Sequence, residues 1–390
     1  MNADERRCAL ALSRMGYHNI TVLRELYNAW GSMADIVKQH AHPEQLAPNM
    51  PERLLAAFAH TDEHLKRADE EMRFAQDNNI SIITLADEAY PQRLKACFDA
   101  PLALFFKGNA NLNAKHCISI VGTRKATPYA ADCIAQLTDR LKQLCPDILI
   151  VSGLAYGVDI MAHRQAIDHA LPTVAVLAHG LDTLYPARHR KEATLMMQNG
   201  GLLTEYFSQS KIDKRNFLQR NRIVAGMSAA TLLVESAEHG GGLVTCRLAQ
   251  SYQHDVFAFP GSINNPYSVG CNRLIRDNMA GLVTSAEDIL KAMSWEEDMK
   301  ETVATNGASS NAVSSMGSSV LGATSASTAK VPNGAQGVLD VLTKENDLHI
   351  DIIATRAGLP VNKVLALLFQ LEMSGMVSSL SGGRYHKVNS

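Results

Sequence analysis

The stretch Ile118-Ser-Ile-Val-Gly-Thr-Arg124 is an apolar, β-branched run that ends in a glycine turn. Helical stretches separate it from four runs of the same kind: Ile148-Leu-Ile-Val-Ser152, Thr173-Val-Ala-Val-Leu177, Thr231-Leu-Leu-Val-Glu235 and Asp255-Val-Phe-Ala-Phe259. Continuous apolar strands that alternate with helices are typical of a parallel sheet covered on both faces. The predicted fold class is therefore α/β, an extended Rossmann-like doubly wound parallel sheet.

A small helical domain is predicted before the sheet, over residues 1–78. From Cys8 to Val37 apolar residues recur at helical spacing, and Gly16 and Gly31 interrupt them. Glycine turns between short helices resemble the SAM and helix-hairpin-helix types of module. A purely structural bundle is the alternative, because no cationic cluster accompanies these glycines.

Three further segments follow the helical domain. The sheet domain is expected over residues 79–295. Residues 296–334 consist largely of Ala, Ser, Thr, Gly and Asn, a composition that predicts a flexible linker. Residues 335–390 contain three amphipathic helical stretches and then two short β runs joined by a Ser-Gly-Gly turn. This order of elements predicts a C-terminal winged helix.

Composition limits the classes of protein to which the chain can belong. The formal net charge is -2, with 46% hydrophobic and 19% charged residues, so any contact with nucleic acid must be a local patch. The seven cysteines form no C-x-x-C pair, which disfavours a zinc site and favours a reducing cytoplasm. Neither a secretory signal nor an apolar run of about 20 residues is present, so we expect a cytoplasmic protein with no membrane segment.

Positive charge is concentrated in the segment Lys211-Ile-Asp-Lys-Arg-Asn-Phe-Leu-Gln-Arg-Asn-Arg222. Five cationic side chains stand there against one aspartate, with Phe217 among them. Cations attract a phosphate backbone, and an aromatic ring offers a stacking surface for an unpaired base. The segment therefore predicts a site for single-stranded nucleic acid. The alternative is a solvated basic loop that contains a core phenylalanine.

Two glycine turns follow the first two predicted strands, at Val121-Gly-Thr-Arg124 and at Val151-Ser-Gly-Leu-Ala-Tyr-Gly-Val-Asp159. Glycine lets the backbone approach a phosphate closely, and the amides of a strand-to-helix turn point toward the anion. Tight strand-helix packing is the alternative explanation. Neither turn reads G-x-G-x-x-G and no G-x-x-x-x-G-K-[ST] occurs, so dinucleotide and ATP sites are disfavoured and no cofactor is expected.

Six motifs occur together and in order, and they resemble the DprA/Smf (DNA-processing protein A) family. The resemblance covers about Ala86 to Leu290. The motifs are Ser119-Ile-Val-Gly-Thr-Arg124, Ser152-Gly-Leu-Ala-Tyr-Gly-Val-Asp159, Gly180-Leu-Asp-Thr-Leu-Tyr-Pro186, Phe217-Leu-Gln-Arg-Asn-Arg222, Gly240-Gly-Gly-Leu-Val-Thr245 and Phe259-Pro-Gly261.

The resemblance implies a cytosolic protein, not an enzyme, that binds single-stranded DNA in natural transformation and helps load the recombinase RecA. Members of the family self-associate, so a homodimer is expected. No catalytic or metal-binding residue is implied. The DNA-binding residues expected on this basis are Gly122, Thr123, Arg124, Ser152, Gly153, Lys214, Phe217, Arg220, Asn221, Arg222, Gly241 and Thr245.

Two other functions remain open at the level of sequence. Nucleoside-monophosphate phosphoribohydrolases share this fold, but their Pro-Gly-Gly-x-Gly-Thr-x-x-Glu signature is absent from Gly240-Gly-Gly-Leu-Val-Thr245. A winged-helix transcriptional regulator would need a basic surface, whereas five basic and five acidic residues give residues 335–390 a net charge of zero. That balance favours an accessory or protein-interaction role for the winged helix.

Three polar residues outside the basic segment could suggest catalysis. Asp159 and His163 are four residues apart on a predicted helix, and Glu235 ends an apolar strand. A helix-capping aspartate, a packed histidine and a structural glutamate are the interpretations that we adopt, since no nucleophile or second carboxylate motif accompanies them.

Overall fold

The structure is a computed structural model that describes residues 3–17, 19–47, 50–296, 334–380 and 383–388. Two compact units make up the chain, Met1–Val303 and Ala304–Ser390. The predicted linker, residues 296–334, lies outside the described residues except at its two ends.

The first unit begins with a group of helices. Breaks between them occur at Gly16 and Gly31, as the sequence predicted. The second helix ends at Trp30, and Gly31 follows it with a left-handed φ of 72°, donating its amide to Tyr27 O. Gly16 is required by packing, because a Cβ there would lie 2.3 Å from Leu23 Cδ1. The helices are α1 (Ala3–Met15), α2 (Ile20–Trp30), α3 (Met33–Lys38), α4 (Glu52–Phe58) and α5 (Thr61–Asp77).

One mixed sheet forms the centre of this unit, with strand order β1-β2-β6-β5-β4-β3-β7-β8-β9. In this spatial order, each strand from β6 through β5, β4, β3, β7 and β8 to β9 is parallel to the next. The pairs β1 with β2 and β2 with β6 are antiparallel. The five predicted strands are β3, β4, β5, β7 and β8, and the other four were not predicted. The strands are β1 (Ser81–Thr84), β2 (Ala103–Gly108), β3 (Cys117–Val121), β4 (Leu149–Ser152), β5 (Thr173–Val176), β6 (Gly200–Thr204), β7 (Ala230–Leu233), β8 (Asp255–Ala258) and β9 (Gly281–Leu282).

Helices cover both faces of the sheet, which confirms the doubly wound arrangement. Alternate residues of β3 pack to opposite sides: Ile118 and Ile120 join the core beneath α7, α8 and α13, while Cys117 and Val121 join the core that includes α10 and α11. The helices of this part are α6 (Gln92–Ala96), α7 (Pro128–Leu144), α8 (Val158–Asp168), α9 (Arg190–Met196), α10 (Lys214–Met227), α11 (Gly241–Ser251), α12 (Val269–Arg276) and α13 (Ala286–Ala292).

The N-terminal helices and the sheet, predicted as separate domains over residues 1–78 and 79–295, share one hydrophobic core. Leu10 and Leu12 of α1 belong to the same buried cluster as Leu104 and Phe105 of β2. The antiparallel edge of the sheet is therefore covered by the N-terminal helices, and both segments belong to a single compact unit.

The order of the strands creates a crevice at the centre of the sheet. After β3 the chain adds β4 and β5 on one side, and later returns to add β7 and β8 on the other. The loops that follow β3 and β7 consequently diverge in opposite directions. Ligands of open α/β sheets bind at such a switch point, beyond the carboxyl ends of the strands.

The second unit is the predicted winged helix, with one short strand in addition. Its three-stranded antiparallel sheet has the order β10-β12-β11. Among the described residues no single helix is both long and apolar enough to cross a membrane; α15 and α16 reach that length only together, across a bend of 106°. The elements are α14 (Gln336–Lys344), β10 (Leu348–His349), α15 (Ile350–Ala357), α16 (Val361–Met373), β11 (Val377–Leu380) and β12 (Arg384–Lys387).

Candidate nucleic-acid interface

A cavity of about 300 Å³ opens at the switch point, beyond the carboxyl ends of β3, β4 and β7. Its wall is formed by the turns after these strands and by the beginning of α10 and α11. Ten of the twelve predicted site residues line it: Gly122, Thr123, Arg124, Gly153, Lys214, Phe217, Arg220, Asn221, Gly241 and Thr245.

The turn after β3 is held close to its neighbours. Thr123 N donates to Glu235 O at 2.8 Å, which fastens this turn to the turn after β7. A Cβ on Gly122 would lie 2.6 Å from Val158 Cγ2 and 2.8 Å from Glu235 O, so a larger residue does not fit. Gly122 thus has a packing role, and the side chain of Arg124, two residues later, is exposed at the cavity.

The N-terminus of α11 supplies backbone donors. The first amides of a helix lack intrahelical partners, and the positive end of the helix dipole lies there. Gly242 permits α11 to approach the sheet, since its Cβ would lie 2.7 Å from Leu233 Cδ1, whereas a Cβ on Gly241 would meet only Asn221 Nδ2, at 3.8 Å. The open side of Gly241 therefore leaves room for an anion against the backbone.

The basic segment forms the start of helix α10. One of its two interpretations from the sequence was a solvated loop. Asp213 is the N-cap of α10, and its Oδ1 accepts from Arg215 N at 2.8 Å. Lys214 is exposed and lines the cavity. The side chain of Arg215 is 89% exposed and does not line the cavity, so neighbouring cations serve different surfaces.

Phe217 combines with a cation and a second aromatic ring at the cavity. The guanidinium carbon of Arg124 lies 5.5 Å from the centroid of the half-buried Phe217 ring. The Tyr185 ring meets Phe217 edge to face, with centroids 5.7 Å apart. Both arrangements are favourable for an aromatic ring, and together they fix its orientation.

Arg220 forms the floor of the cavity and is 3% exposed. Its Nη1 donates to Gly153 O at 2.6 Å and to Val176 O, which holds the guanidinium beneath the turn after β4. A Cβ on Gly153 would lie 2.4 Å from Arg220 Cζ, so the glycine makes room for the guanidinium. Burial lowers the pKa of Arg220, while the nearby Asp159 carboxyl opposes that shift.

Two predicted site residues lie elsewhere. Ser152 is fully buried and donates its hydroxyl to Ile120 O at 2.6 Å. Arg222 does not line the cavity; its Nη1 donates to Asp99 O at 2.7 Å and its Nη2 pairs with Glu205. Burial raises the pKa of Glu205 in spite of this pairing. The expectation that both residues line the DNA pocket is corrected, because their polar atoms are used inside the fold.

The five cations of the basic segment therefore do not form one patch. They point to four environments, since the four cations within α10 face different directions at steps of about 100° and Lys211 precedes the helix. Lys214 and Arg220 line the cavity, Arg222 is in a buried ion pair, Arg215 is in solvent, and Lys211 lines a second cavity.

The polar residues that suggested catalysis all have structural contacts. Asp159 Oδ2 accepts from Ala155 N at 3.4 Å, and the two Glu235 oxygens accept from Thr127 N and Oγ1 at 2.9 and 2.6 Å. His163 is completely buried with Nδ1 2.8 Å from Thr173 Oγ1, and burial, followed by the charge of Arg220, lowers its pKa to about 3. Within the described residues no group of three or more His, Cys, Asp or Glu could hold a metal.

Sequence reasoning missed two exposed side chains of the site. Tyr185 contacts Phe217 and belongs to the Gly180–Pro186 motif, which carries no predicted role. His239 lines the cavity directly before Gly240, the N-cap residue of α11. The position of His239 in a turn after a central strand was the signal that could have identified it.

Known proteins resemble this chain over most of its length. The sequence profile of DNA recombination-mediator protein A matches residues 81–294, and that of the DprA winged helix domain matches residues 322–383. Protein Smf of Escherichia coli K12 is 32% identical over 82% of this chain and 80% of its own.

Solved structures agree with the sequence profiles. The X-ray structure of DNA processing protein A from Streptococcus pneumoniae aligns with a TM-score of 0.61 and 29% identity, over 72% of this chain and 95% of that chain. The Helicobacter pylori protein, solved in a study of its single-stranded DNA binding mode, aligns with a TM-score of 0.50 and 29% identity, over 56% of this chain and 96% of that chain. Since the first profile matches more than half of the sequence, the chain belongs to the DNA recombination-mediator protein A (DprA/Smf) family.

Proposed function

We propose that the chain binds single-stranded DNA in the cavity at the switch point and acts in DNA processing during transformation. One observation carries the proposal: the Arg124 guanidinium lies over the Phe217 ring, at a cavity that also receives the N-terminus of α11. Phosphate-binding and base-stacking groups are thus side by side, as a single strand requires.

The roles of the site residues follow from their surroundings. Arg124 and Lys214 are exposed cations and bind phosphates, and the open amide side of Gly241 accepts a phosphate against the helix N-terminus. Phe217, supported by Tyr185, stacks on a base. Arg220 is a positioning residue, because its hydrogen bonds hold the turn after β4 in place.

Single-stranded DNA is favoured over duplex because the faces of paired bases are covered by their neighbours. A ring that is half-buried at a cavity can stack only on a base that has left the helix. The Helicobacter pylori relative has a single-stranded DNA binding mode, which supports the same ligand here.

Family membership extends the proposal to partners. We infer that the chain forms a homodimer in the cytoplasm and helps load RecA onto the bound strand, the role expected of a member of this family. Sedimentation equilibrium gives the mass in solution. RecA filament formation on a strand covered by single-strand-binding protein, with and without the chain, tests loading; equal rates would contradict it.

A binding function without catalysis is supported by how the carboxylates are used. Glu235, which follows the central strand β7, accepts two hydrogen bonds from Thr127. The phosphoribohydrolase alternative is tested by incubating the protein with nucleoside monophosphates and separating the products by chromatography. Release of free base at a rate proportional to protein concentration would restore that alternative.

The winged helix is assigned an accessory role. Four apolar residues are exposed at intervals of four along α16, from Val361 at 44% to Met373 at 75% exposure. Such a surface does not attract a phosphate backbone, which agrees with the zero net charge of this domain. A footprint on one defined duplex sequence would support the transcriptional regulator instead.

Fluorescence anisotropy with labelled oligothymidylate and with a matched duplex, at several salt concentrations, tests the proposed function. We expect tighter binding of the single strand and a slope of log K against log salt of about -0.7 for each phosphate contact. A flat salt response, or equal affinity for duplex, would contradict the proposal.

A further inference from the structure

A second cavity, of about 450 Å³, lies between the N-terminal helices and the segment that joins β6 to α10. One side of it is lined by Arg14 of α1, by Tyr17, which follows α1, and by Arg67 of α5. Residues of the connecting segment, including Lys211, line the other. Nothing in the proposed function so far uses this cavity.

The beginning of α10 separates the two cavities. Phe217 and Lys214 line the first cavity, while Asn216 and Lys211 line the second. A helix with its side chains has a diameter of about 10 to 12 Å, so the two openings lie on either side of a narrow ridge. A strand that leaves the first cavity across Lys214 therefore meets Lys211 next.

The second cavity offers positive charge that carboxylates do not neutralise. Arg14 Nη1 donates to His64 Nδ1 at 2.9 Å, and neither Arg14 nor Lys211 forms an ion pair within the described part of the chain. Glu205, the carboxylate that lines the cavity, pairs through Oε2 with Arg222, and Arg67 pairs with the neighbouring Glu71 at 2.7 Å. Arg14 and Lys211 are therefore cations without a carboxylate partner among the described residues, which favours a phosphate as the ligand.

Aromatic and amide groups accompany these cations, as in the first cavity. The guanidinium carbon of Arg67 lies 5.3 Å from the centroid of the Phe207 ring, close to the 5.5 Å between Arg124 and Phe217. Tyr17 is half-buried in the wall, and its hydroxyl contacts Tyr206 and Asn216. The same combination of cation, ring and hydrogen-bonding groups therefore occurs on both sides of α10.

We propose that the second cavity binds the neighbouring nucleotides of the strand that occupies the first, with phosphates on Arg14 and Lys211 and a base beside Tyr17. This inference rests on the proposed function. The N-terminal helices are then part of the DNA-binding surface, and the chain holds a longer stretch of single strand than the switch-point cavity alone could.

Oligothymidylates of increasing length test the inference. Wild-type affinity should rise once the strand is long enough to cross α10. Lys211→Gln and Arg14→Gln should each reduce that gain by about five-fold, the upper value of an exposed ion pair, and lower the salt slope by about 0.7 for the long strand. Neither should change binding of strands that fill only the first cavity.

Arg215→Gln is the matched control, because it removes the same charge from the same segment and lines neither cavity. Thermal melts check that Arg14→Gln, which loses its contact with His64, is folded; Lys211→Gln makes no such contact and keeps the test decisive. If both variants bind long strands as Arg215→Gln does, the inference is overturned. If Arg124→Ala leaves strands of every length unaffected, the proposed function itself fails.

Discussion

The Arg124 guanidinium covers the Phe217 ring with its carbon 5.5 Å from the ring centroid, although one residue follows β3 and the other belongs to α10. The proposed phosphate contact and the proposed stacking surface are therefore in contact with each other before any ligand binds. Movement of either side chain on binding must affect the other.

Coupling between these two residues is the first expectation. Phe217→Ala should weaken binding of oligothymidylate by about 1 to 3 kcal/mol, the usual value of base stacking on an aromatic ring. Because Arg124 and Phe217 touch, the double variant should differ from the sum of the single variants by about 0.5 to 3 kcal/mol. Additive effects would show that the contact has no part in binding. Thermal melts distinguish lost stacking from a core defect, which would cost about 3 to 5 kcal/mol of stability.

Salt dependence should separate the cations from the ring. Arg124→Ala and Lys214→Ala should each reduce the magnitude of the salt slope by about 0.7, since each removes one phosphate contact. Phe217→Ala should leave the slope nearly unchanged. Arg215→Ala, whose side chain is 89% exposed, is the control. A slope change in the control as large as that of Lys214→Ala would mean that general charge, and not the cavity, drives binding.

Neighbouring glycines at the start of α11 should behave differently. Gly241→Ala places its Cβ in ordinary van der Waals contact with Asn221 Nδ2 and should change the free energy of unfolding by less than about 0.5 kcal/mol, yet weaken DNA binding because it obstructs the backbone amides. Gly242→Ala collides with Leu233 Cδ1 at 2.7 Å and should cost about 1 to 3 kcal/mol of stability. Urea denaturation and anisotropy measure the two effects. Full affinity in Gly241→Ala would show that the backbone amides at the start of α11 do not contact DNA.

Arg222 should matter for stability and not for DNA contact. Arg222→Met leaves the Glu205 carboxylate buried without its partner and should cost about 3 to 5 kcal/mol. Adding Glu205→Gln should recover part of that loss, because no buried charge then remains. The folded fraction of either variant should bind oligothymidylate as the wild type does. A reduced salt slope in Arg222→Met would show that Arg222 contacts a DNA phosphate.

His163 should make the protein sensitive to acid. Its pKa is about 6.5 in the unfolded chain and about 3 in the folded one, so the histidine stays neutral in the fold while it takes up a proton on unfolding. Its contribution to stability is complete above pH 6.5 and is lost as the pH falls toward 3. At pH 5 the free energy of unfolding should already be lower by about 2 kcal/mol. Urea denaturation at pH 7.5 and pH 5 measures this loss. His163→Gln should lose less stability between pH 7.5 and pH 5 than the wild type. An equal loss would show that other groups cause the acid sensitivity.

The sequence predicted the centre of the sheet because those strands are buried on both faces and their apolar runs are unbroken. The edge strands gave weaker signals. β6 begins with Gly200 and Gly201, which have no side chain to pack, and β9 has only two residues. Pairing of β2 with β6 joins segments far apart in the sequence, which local patterns do not report.

The basic segment shows why the site was only partly predictable. Residue types identified Lys214 and Phe217 correctly as neighbours of one cavity. The helix was not apparent, because Arg220, Asn221 and Arg222 are all buried and the usual apolar stripe is missing. The role of Arg222 depends on Glu205, a partner on another element, and charge counting cannot reveal such a pairing.

The core shared by α1 and β2 also bears on how this gene can change. Side chains such as Leu10 and Leu104 belong to one buried cluster that extends across the junction at residue 78. A recombination event at that point between diverged relatives would join two halves of an interior that were selected in different proteins. We expect such chimaeras to be less stable than either parent, so the N-terminal helices and the sheet should be inherited as one piece.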